Sequence, residues 1–420
     1  MKFLQVLPDV ITFIFLLTLI SYYFLLFIPK KKPKKHRSFK SISVLIPAHN
    51  EEEYIADCLR SVLAANFRGE KEIIVVDDGS IDRTCKIARS FEKRYGIKVL
   101  KTKHSGKSSS LNLAMKHAKG ELVAVVDADS IIYRNALVEM EWEVSRKNTV
   151  ASACVVKVKN RHKILCIYPH IELLYNSLIR SILSKVNANI TTPGPLSVYR
   201  RKNLDEIGGF STEGFSEDVD VTIRLIRKGY HVGFTEKAIA ETNMPPDMKG
   251  FLRQRFRFGR GLVNILKRHL QMNKTVIDLY TLPLFLFAYV QAVVMGSFTI
   301  YQIVSGYLQY FVSQGVYFST GVLQFFIDWL TIIGFVKWTY NVFVGSDPIT
   351  VITLIGIMST FLSYPLFIYS VIKFDRKIDF FNIIPIFIMQ PFWWFMMIVY
   401  MLSLPEMVKK SQYNIWKKNE

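Results

Sequence analysis

Acidic residues stand directly behind three apolar runs of this 420-residue chain. In Ile73-Ile-Val-Val-Asp-Asp-Gly-Ser80 an apolar, β-branched run reads as a buried strand, and two carboxylates and an Asp-Gly turn follow at once. Leu122-Val-Ala-Val-Val-Asp-Ala-Asp-Ser130 repeats the pattern, and Ser43-Val-Leu-Ile-Pro-Ala-His-Asn-Glu-Glu52 is a third strand ending in acid. Ligands of open α/β sheets bind beyond the carboxyl ends of the strands, so Asp77, Asp78, Asp127 and Asp129 are expected to share one crevice. Strand side chains alternate, so Asp127 and Asp129 point to the same side. Two hard oxygen ligands one strand repeat apart suit Mg²⁺ or Mn²⁺, which then bridge substrate phosphates.

Two further clusters carry chemistry. In Phe215-Ser-Glu-Asp-Val-Asp-Val-Thr-Ile-Arg-Leu225, Ser216 is expected to cap a helix. Glu217, Asp218 and Asp220 are more acid than capping requires, and a carboxylate that takes a proton from an attacking hydroxyl is the natural role. In Gln254-Arg-Phe-Arg-Phe258, Gln254, Arg257 and Phe258 lie three and four apart and share a helix face. Arginine clamps a diphosphate, and an aromatic ring stacks on a sugar or base.

These residues need a scaffold, and the pattern between 41 and about 151 supplies one. Strands are expected at Ser41–Ile46, Glu72–Val76, Ile97–Leu100 and Glu121–Val126, with helices at Glu51–Ala65, Asp82–Arg94 and Ser108–Ala118, the second opened by Asp82. Such alternation predicts a mostly parallel sheet with helices on both faces. Residues 152–245 are less regular, with an apolar stretch at Ile164–Leu183 and a turn-rich Thr191-Thr-Pro-Gly-Pro195. Residues 248–270 read as a basic amphipathic helix of the kind that lies in a membrane interface.

The composition is 50% apolar, with 31 Phe and 20 Tyr, and the excess is uneven. Val10 to Pro29 is uncharged and long enough for one crossing. It lacks a small-residue cleavage site, and its basic residues follow the apolar run, which excludes a signal peptide. Leu279 to Ile327 is uncharged for 49 residues, enough for two spans, and Pro348–Ile372 and Phe380–Pro405 each clear the length for one. Four C-terminal spans are expected, or three if Thr320–Phe343, which contains Lys337, lies in the interface or faces a channel. The net charge of +20 concentrates beside these segments, in Lys30–Arg37 and in Lys409, Lys410, Lys417 and Lys418. That distribution argues against nucleic acid and for a lipid bilayer, with both flanks held in the cytoplasm. Cys58, Cys85, Cys154 and Cys166 show no CxxC spacing and read as reduced core residues. The expected layout is an N-terminal helix (1–29), a basic linker (30–40), a catalytic domain (41–247), an interfacial helix (248–278), C-terminal spans (279–405) and a basic tail (406–420).

Residues 41–260 resemble a family 2 inverting glycosyltransferase of the GT-A fold, and the membrane arrangement resembles the synthases of hyaluronan, cellulose and poly-N-acetylglucosamine. The matching motifs are Pro47-Ala-His-Asn-Glu-Glu52, Asp77-Asp-Gly-Ser80, Asp127-Ala-Asp129, Ser216-Glu-Asp218 and Gln254-x-x-Arg-Phe258. The resemblance implies that Pro47, Ala48, Asn50, Glu51, Asp77 and Asp78 hold the nucleotide, and that Asp127 and Asp129 hold metal and diphosphate near Lys107. It further implies that Asp218, beside Glu217, is the general base, and that Gln254, Arg257 and Phe258 lie beside donor and acceptor. Phe258 stands where the family has tryptophan, which keeps an aromatic platform and removes an N–H donor. The implied enzyme is a multi-pass protein of the plasma membrane with a cytoplasmic catalytic domain. It moves a sugar from a nucleotide-sugar, a UDP-sugar first, to a hydroxyl of a growing glycan. Transfer of one sugar to a lipid, or a non-catalytic nucleotide-sugar-binding subunit of an export channel, are the alternatives. The acids retained at every motif argue against the last.

Overall fold

The β-branched runs form the centre of one eight-stranded sheet of order β3-β2-β1-β4-β7-β6-β8-β5. In the computed structural model, residues 2–30, 38–214, 216–271, 273–375 and 380–407 are described. The basic tract at 31–37 and the tail lysines Lys409, Lys410, Lys417 and Lys418 lie outside the described residues. After α1 (Lys2–Phe27), the chain alternates β1 (Ser41–Ala48), α2 (Ile55–Ala64), β2 (Glu70–Asp78), α3 (Thr84–Tyr95), β3 (Lys98–Thr102), α4 (Lys107–His117) and β4 (Leu122–Val125). Strands β2 and β4 pair with β1 on opposite sides, all parallel, so the winding reverses beside β1. That reversal opens a crevice at the strands' carboxyl ends, where the acids stand.

Local chemistry fixes the helix ends. Asp82 Oδ1 accepts the Thr84 N–H at 2.9 Å, as expected of a residue opening α3. Lys71 Nζ donates to the carbonyls of Val62, Leu63 and Ala65 at 2.7, 2.9 and 2.6 Å, which closes the C-terminus of α2.

The second half of the sheet comprises β5 (Ser130–Ile132), α5 (Ala136–Val144), β6 (Thr149–Val158), α6 (Ile164–Ser184), β7 (Ser197–Arg200), α7 (Arg201–Glu206), α8 (Glu217–Arg227) and β8 (His231–Thr242). Strand β7 runs antiparallel to β4 and β6, and β5 antiparallel to β8, while β6 and β8 are parallel. Four of the seven pairings are therefore parallel. The mostly parallel expectation holds, with an antiparallel half that short strands such as β5 and β7 concealed.

Helix α9 (Met248–His269) leads through one π-helical turn, Ile277–Thr281, into α10 (Leu282–Tyr310). Helices α11 (Thr320–Leu330), α12 (Ile332–Phe343), α13 (Val351–Asp375), α14 (Phe380–Phe387) and α15 (Gln390–Ser403) follow. Among the described residues three helices are long and apolar enough to cross a membrane: Val6–Phe27, Ile277–Gln314 and Val351–Asp375. The expected spans are corrected in two places. Leu279 to Ile327 holds one long helix and the start of another, and α11 and α12 meet at 91°. The Phe380–Pro405 run is split into α14 and α15, and the 14 residues of α15 extend about 21 Å, short of the bilayer core. Lys337 does not stand alone: its Nζ lies 2.9 Å from both carboxylate oxygens of Asp328 across the bend.

The apolar helices pack on the sheet through α6. Leu19 of α1, Leu174 and Leu178 of α6, Phe234 of β8, and Val371 and Phe374 of α13 share one buried cluster. Tyr175 of α6 stacks on Phe367 of α13 at 4.2 Å between centroids.

Candidate active site

Asp77 and Asp78 end β2 fully buried, and they differ in use. Asp78 accepts Ser105 N–H and Gly106 N–H at 2.9 Å each, the Ser105 hydroxyl at 3.2 Å and His104 Nδ1 at 3.0 Å. Its four hydrogen bonds hold the loop that opens α4 at Lys107. Among the described residues Asp77 Oδ1 receives a long bond from Ser80 N–H, 3.4 Å, and Oδ2 has no hydrogen-bond partner, so Asp77 keeps capacity for a ligand. Pro47 and Ala48 end β1, where Ala48 pairs with Asp77. Asn50 takes a left-handed φ of 54°. Its N–H donates to Ser80 Oγ and its Oδ1 accepts Ile81 N–H, both at 3.0 Å. Glu51 is buried, and its N–H donates to Thr84 Oγ1 at 2.7 Å. The first two motifs thus build one wall of the crevice. His49 and His104 stack over it, centroids 4.1 Å apart. Together with Asp78 they place ligand atoms within 4.8 Å of one another. They do not fit a divalent cation, because the Asp78 carboxylate is taken up by the loop and both His49 ring nitrogens are engaged, Nδ1 with the Asp78 carbonyl at 2.8 Å and Nε2 with the Asn50 amide at 3.2 Å.

A chain of ion pairs crosses the crevice floor. Lys107 Nζ lies 2.7 Å from Asp127 Oδ1 and 2.8 Å from Glu217 Oε1. Burial opposes the charge of Lys107, but Asp127 and Glu217 outweigh it and raise the ammonium above its ordinary value. Gly194, within the turn-rich Thr191–Pro195 segment, closes over this chain: a Cβ there would collide with Asp127 Oδ2 and Lys107 Nζ. Its carbonyl accepts the Asp127 N–H at 3.1 Å. Asp129 is held from β8, its Oδ1 accepting from Thr242 Oγ1 at 3.4 Å and its carbonyl from Asn243 Nδ2 at 3.1 Å. Asp129 Oδ2 carries no hydrogen bond among the described residues. The pair Asp127 and Asp129 therefore offers hard oxygen donors that fit a divalent cation.

Helix α8 places two carboxylates in opposite environments. Burial and neighbouring Glu217 push Asp218 up to about 7, against the pull of Lys107. Among the described residues its carboxylate accepts one bond, from Val219 N–H at 2.9 Å. Burial would raise Asp220 too, but the hydrogen bond from His269, with Arg224 and Arg268, holds it below the usual carboxylate range. The distances are 2.9 Å to His269 Nε2, 2.7 Å to Arg224 Nε and 3.0 Å to Arg268. Asp220 therefore locks α8 to the end of α9 and leaves the acid cluster to Glu217 and Asp218. Ser216 occupies the capping position, but its side chain makes no cap. The expected capping role is corrected; Phe215 lies outside the described residues.

Helix α9 keeps Gln254, Arg257 and Phe258 on one side. Gln254 Oε1 is buried with no partner, and Arg257 and Phe258 are exposed. No hydrogen bond or ion pair joins these three to Asp127, Asp129 or Asp218 among the described residues. The buried face of α9 packs on α15, where Gly259 meets Ser403 and Val399. Arg255, expected on the basic face, is instead 2% exposed. It pairs with Glu172 of α6 at 2.5 Å and lies over Phe251, Phe258 and Phe392 at 5.0, 5.7 and 5.1 Å.

Sequence reasoning missed Gly194, whose place between two prolines was a signal of close approach.

Residues 43–208 match the family model described as glycosyl transferase family 2. The poly-β-1,6-N-acetyl-D-glucosamine synthase of Staphylococcus epidermidis is 28% identical over 346 residues, covering 77% of this chain and 81% of that one. The probable glycosyltransferase YdaM of Bacillus subtilis is 30% identical over 287 residues, covering 64% of this chain and 68% of the relative. Among solved structures, a mannosyltransferase from Pyrobaculum calidifontis in complex with GDP-mannose and Mn²⁺ has the same fold, with a TM-score of 0.58 at 18% identity over 88% of this chain and all of that one. With a doubly wound acidic crevice, a matching domain and relatives along most of its length, this chain belongs to glycosyl transferase family 2 and is a glycosyltransferase.

Proposed function

We propose that the chain transfers N-acetylglucosamine from its UDP-sugar to a hydroxyl of a growing glycan. One observation carries the reading: Asp218, pushed up to about 7, stands beside the Lys107–Asp127–Glu217 chain. A carboxylate poised near neutrality takes a proton well at the pH where it is still ionised. The acceptor oxygen attacks the anomeric carbon from the side opposite the diphosphate. Its proton passes to Asp218, the bond to the diphosphate breaks, and the electron pair leaves with UDP. Lys107 meets the charge that grows on the diphosphate, and Asp77 with the Asn50–Glu51 turn holds the nucleoside. Asp127 and Asp129 would hold a divalent cation, Mn²⁺ or Mg²⁺, which supplies charge neutralisation at the diphosphate when bound. Arg257 and Phe258, exposed on α9, would close on the sugars from the membrane side.

The named function of the Staphylococcus epidermidis relative supports the choice of sugar and of a polymeric product. The apolar helices and the basic flanks support a plasma-membrane enzyme with its sheet on the cytoplasmic side. Membranes containing the chain, incubated with labelled UDP-N-acetylglucosamine, UDP-glucose, UDP-glucuronate and GDP-mannose, test it. Label from UDP-N-acetylglucosamine in products of many sugars is expected. A lipid carrying a single sugar would contradict it, as would label drawn mainly from GDP-mannose.

A further inference from the structure

Lys107 stands against one of the two carboxylates that fit a divalent cation. Its ammonium lies 2.7 Å from Asp127 Oδ1 and 2.8 Å from Glu217 Oε1. Gly194 covers the pair so closely that a Cβ there would collide with Asp127 Oδ2 and Lys107 Nζ. One oxygen of Asp127 therefore meets an ammonium, and the other lies against backbone. Asp129 offers less than a full carboxylate. Its Oδ1 accepts from Ser130 Oγ at 3.1 Å and from Thr242 Oγ1 at 3.4 Å, which leaves Oδ2 open among the described residues. One carboxylate oxygen holds Mg²⁺ or Mn²⁺ weakly, because such an ion gives up its water reluctantly and needs several good ligands in return. Tight binding needs Asp127 as well, and Asp127 is engaged by Lys107.

The two cations do not share Asp127 easily. An ammonium and a divalent ion on one carboxylate oxygen stand within about 5 Å of each other, where like charges repel strongly in a site partly shut off from water. The backbone of Asp127 is pinned: its N–H donates to the Gly194 carbonyl at 3.1 Å, and its carbonyl accepts the Ser130 N–H at 3.0 Å. Lys107 is the partner that can yield. Its backbone opens α4 behind the loop held by Asp78, but its four-carbon stem can swing the ammonium off Asp127 while Glu217 stays within reach. A diphosphate gives that ammonium somewhere to go. Its oxygens accept from lysine and ligate a cation at the same time.

We propose that Lys107 competes with the divalent cation for Asp127, so that the cation binds tightly only together with the nucleotide diphosphate. Lys107 thereby sets the order in which the site fills and keeps free metal out of it. The inference rests on the reading of Asp127 and Asp129 as the cation site.

The test titrates Mn²⁺ into the full chain in detergent by calorimetry, with and without UDP. For Lys107→Met, affinity for Mn²⁺ alone is expected to rise about tenfold or more, and the gain in affinity that UDP brings should shrink by a similar factor. Lys107→Gln, which keeps a neutral donor near Asp127, should move the same way by a smaller factor. Lys101→Met is the control. It removes a like charge from the strand partner of Asp77, which makes no ion pair with Asp127 among the described residues, and Mn²⁺ affinity should stay within twofold of wild type. Affinity for Mn²⁺ alone within twofold of wild type in both Lys107 variants would overturn the proposal, as would an equal rise in Lys101→Met. Asp129→Asn tells this failure from that of the site reading. It should abolish Mn²⁺ binding in the wild-type and Lys107→Met backgrounds alike. Binding lost with Asp129→Asn but unmoved by the Lys107 variants refutes the competition alone, and binding that survives Asp129→Asn refutes the site and the competition together.

Discussion

The two halves of the sheet handle charge in opposite ways. On the half built from β1 to β4, two carboxylates have fixed partners: Asp78 holds the loop before α4, and Asp127 pairs with Lys107. On the half that carries α8, Asp218 is lifted to about 7. The first half is braced before substrate arrives and leaves Asp77 Oδ2 open, as suits a rigid cradle for a nucleotide. The second half keeps open capacity, as suits the place where bonds change. Asp218 and Asp220 repeat the contrast two residues apart on one helix. One is raised by burial and Glu217, and the other is held low by its hydrogen bond to His269 and by two arginines.

Replacing a residue on each side separates the two roles. The largest effect is expected on the open side: Asp218→Asn should leave donor affinity unchanged and lower turnover about a hundredfold or more, the range for losing a positioned base. Calorimetry with UDP and rates of UDP release check both halves of that statement. A smaller effect is expected in the cradle. Asp78→Asn turns an amide N–H₂ towards the N–H of either Ser105 or Gly106, so the loop before Lys107 loosens. Donor KM should rise about tenfold, equivalent to about 1.4 kcal/mol, with turnover changed less. Equal losses in turnover and affinity would erase the distinction between the halves. The smallest effect is expected at Ser216→Ala. A true cap would lose about 1 kcal/mol, but this hydroxyl makes no cap, so the stability measured by denaturant unfolding should stay within about 0.3 kcal/mol of wild type.

The same contrast explains what the sequence disclosed. The cradle is built from local patterns: β-branched runs, an Asp-Gly turn, carboxylates at strand ends. Four strands, three helices and the places of Asp77, Asp78, Asp127 and Asp129 were legible for that reason. The reacting half depends on distant contacts. Nothing local distinguishes Asp218 from Asp220 until His269 and Arg268 arrive from α9, 49 and 48 residues away. Arg255 read as one more basic residue on an interfacial helix, and only Glu172 on α6 reveals why it is buried. The antiparallel strands β5 and β7 hold three and four residues, too few to show alternation. The uncharged C-terminal runs fixed where apolar helices lie but not where they bend, because breaks such as that at Thr331 are set by packing and side-chain caps.

The central claim is that Asp218 is the base and that burial sets its working range. Transfer requires the ionised form, so activity is lost as pH falls through about 7. The stability effect has the opposite sign. A carboxylate with a raised folded value contributes stability below its unfolded value, about 4, and loses it as pH rises through the folded one. The fold is thus least favoured where the base is active. The direct measurement is kcat/KM for UDP release between pH 5 and 9, for wild type and Asp218→Asn. The wild type should show an acid limb near pH 7 that falls about tenfold per unit, and the variant a low, flat profile. The same limb in both proteins, or a flat wild-type profile, would contradict the account.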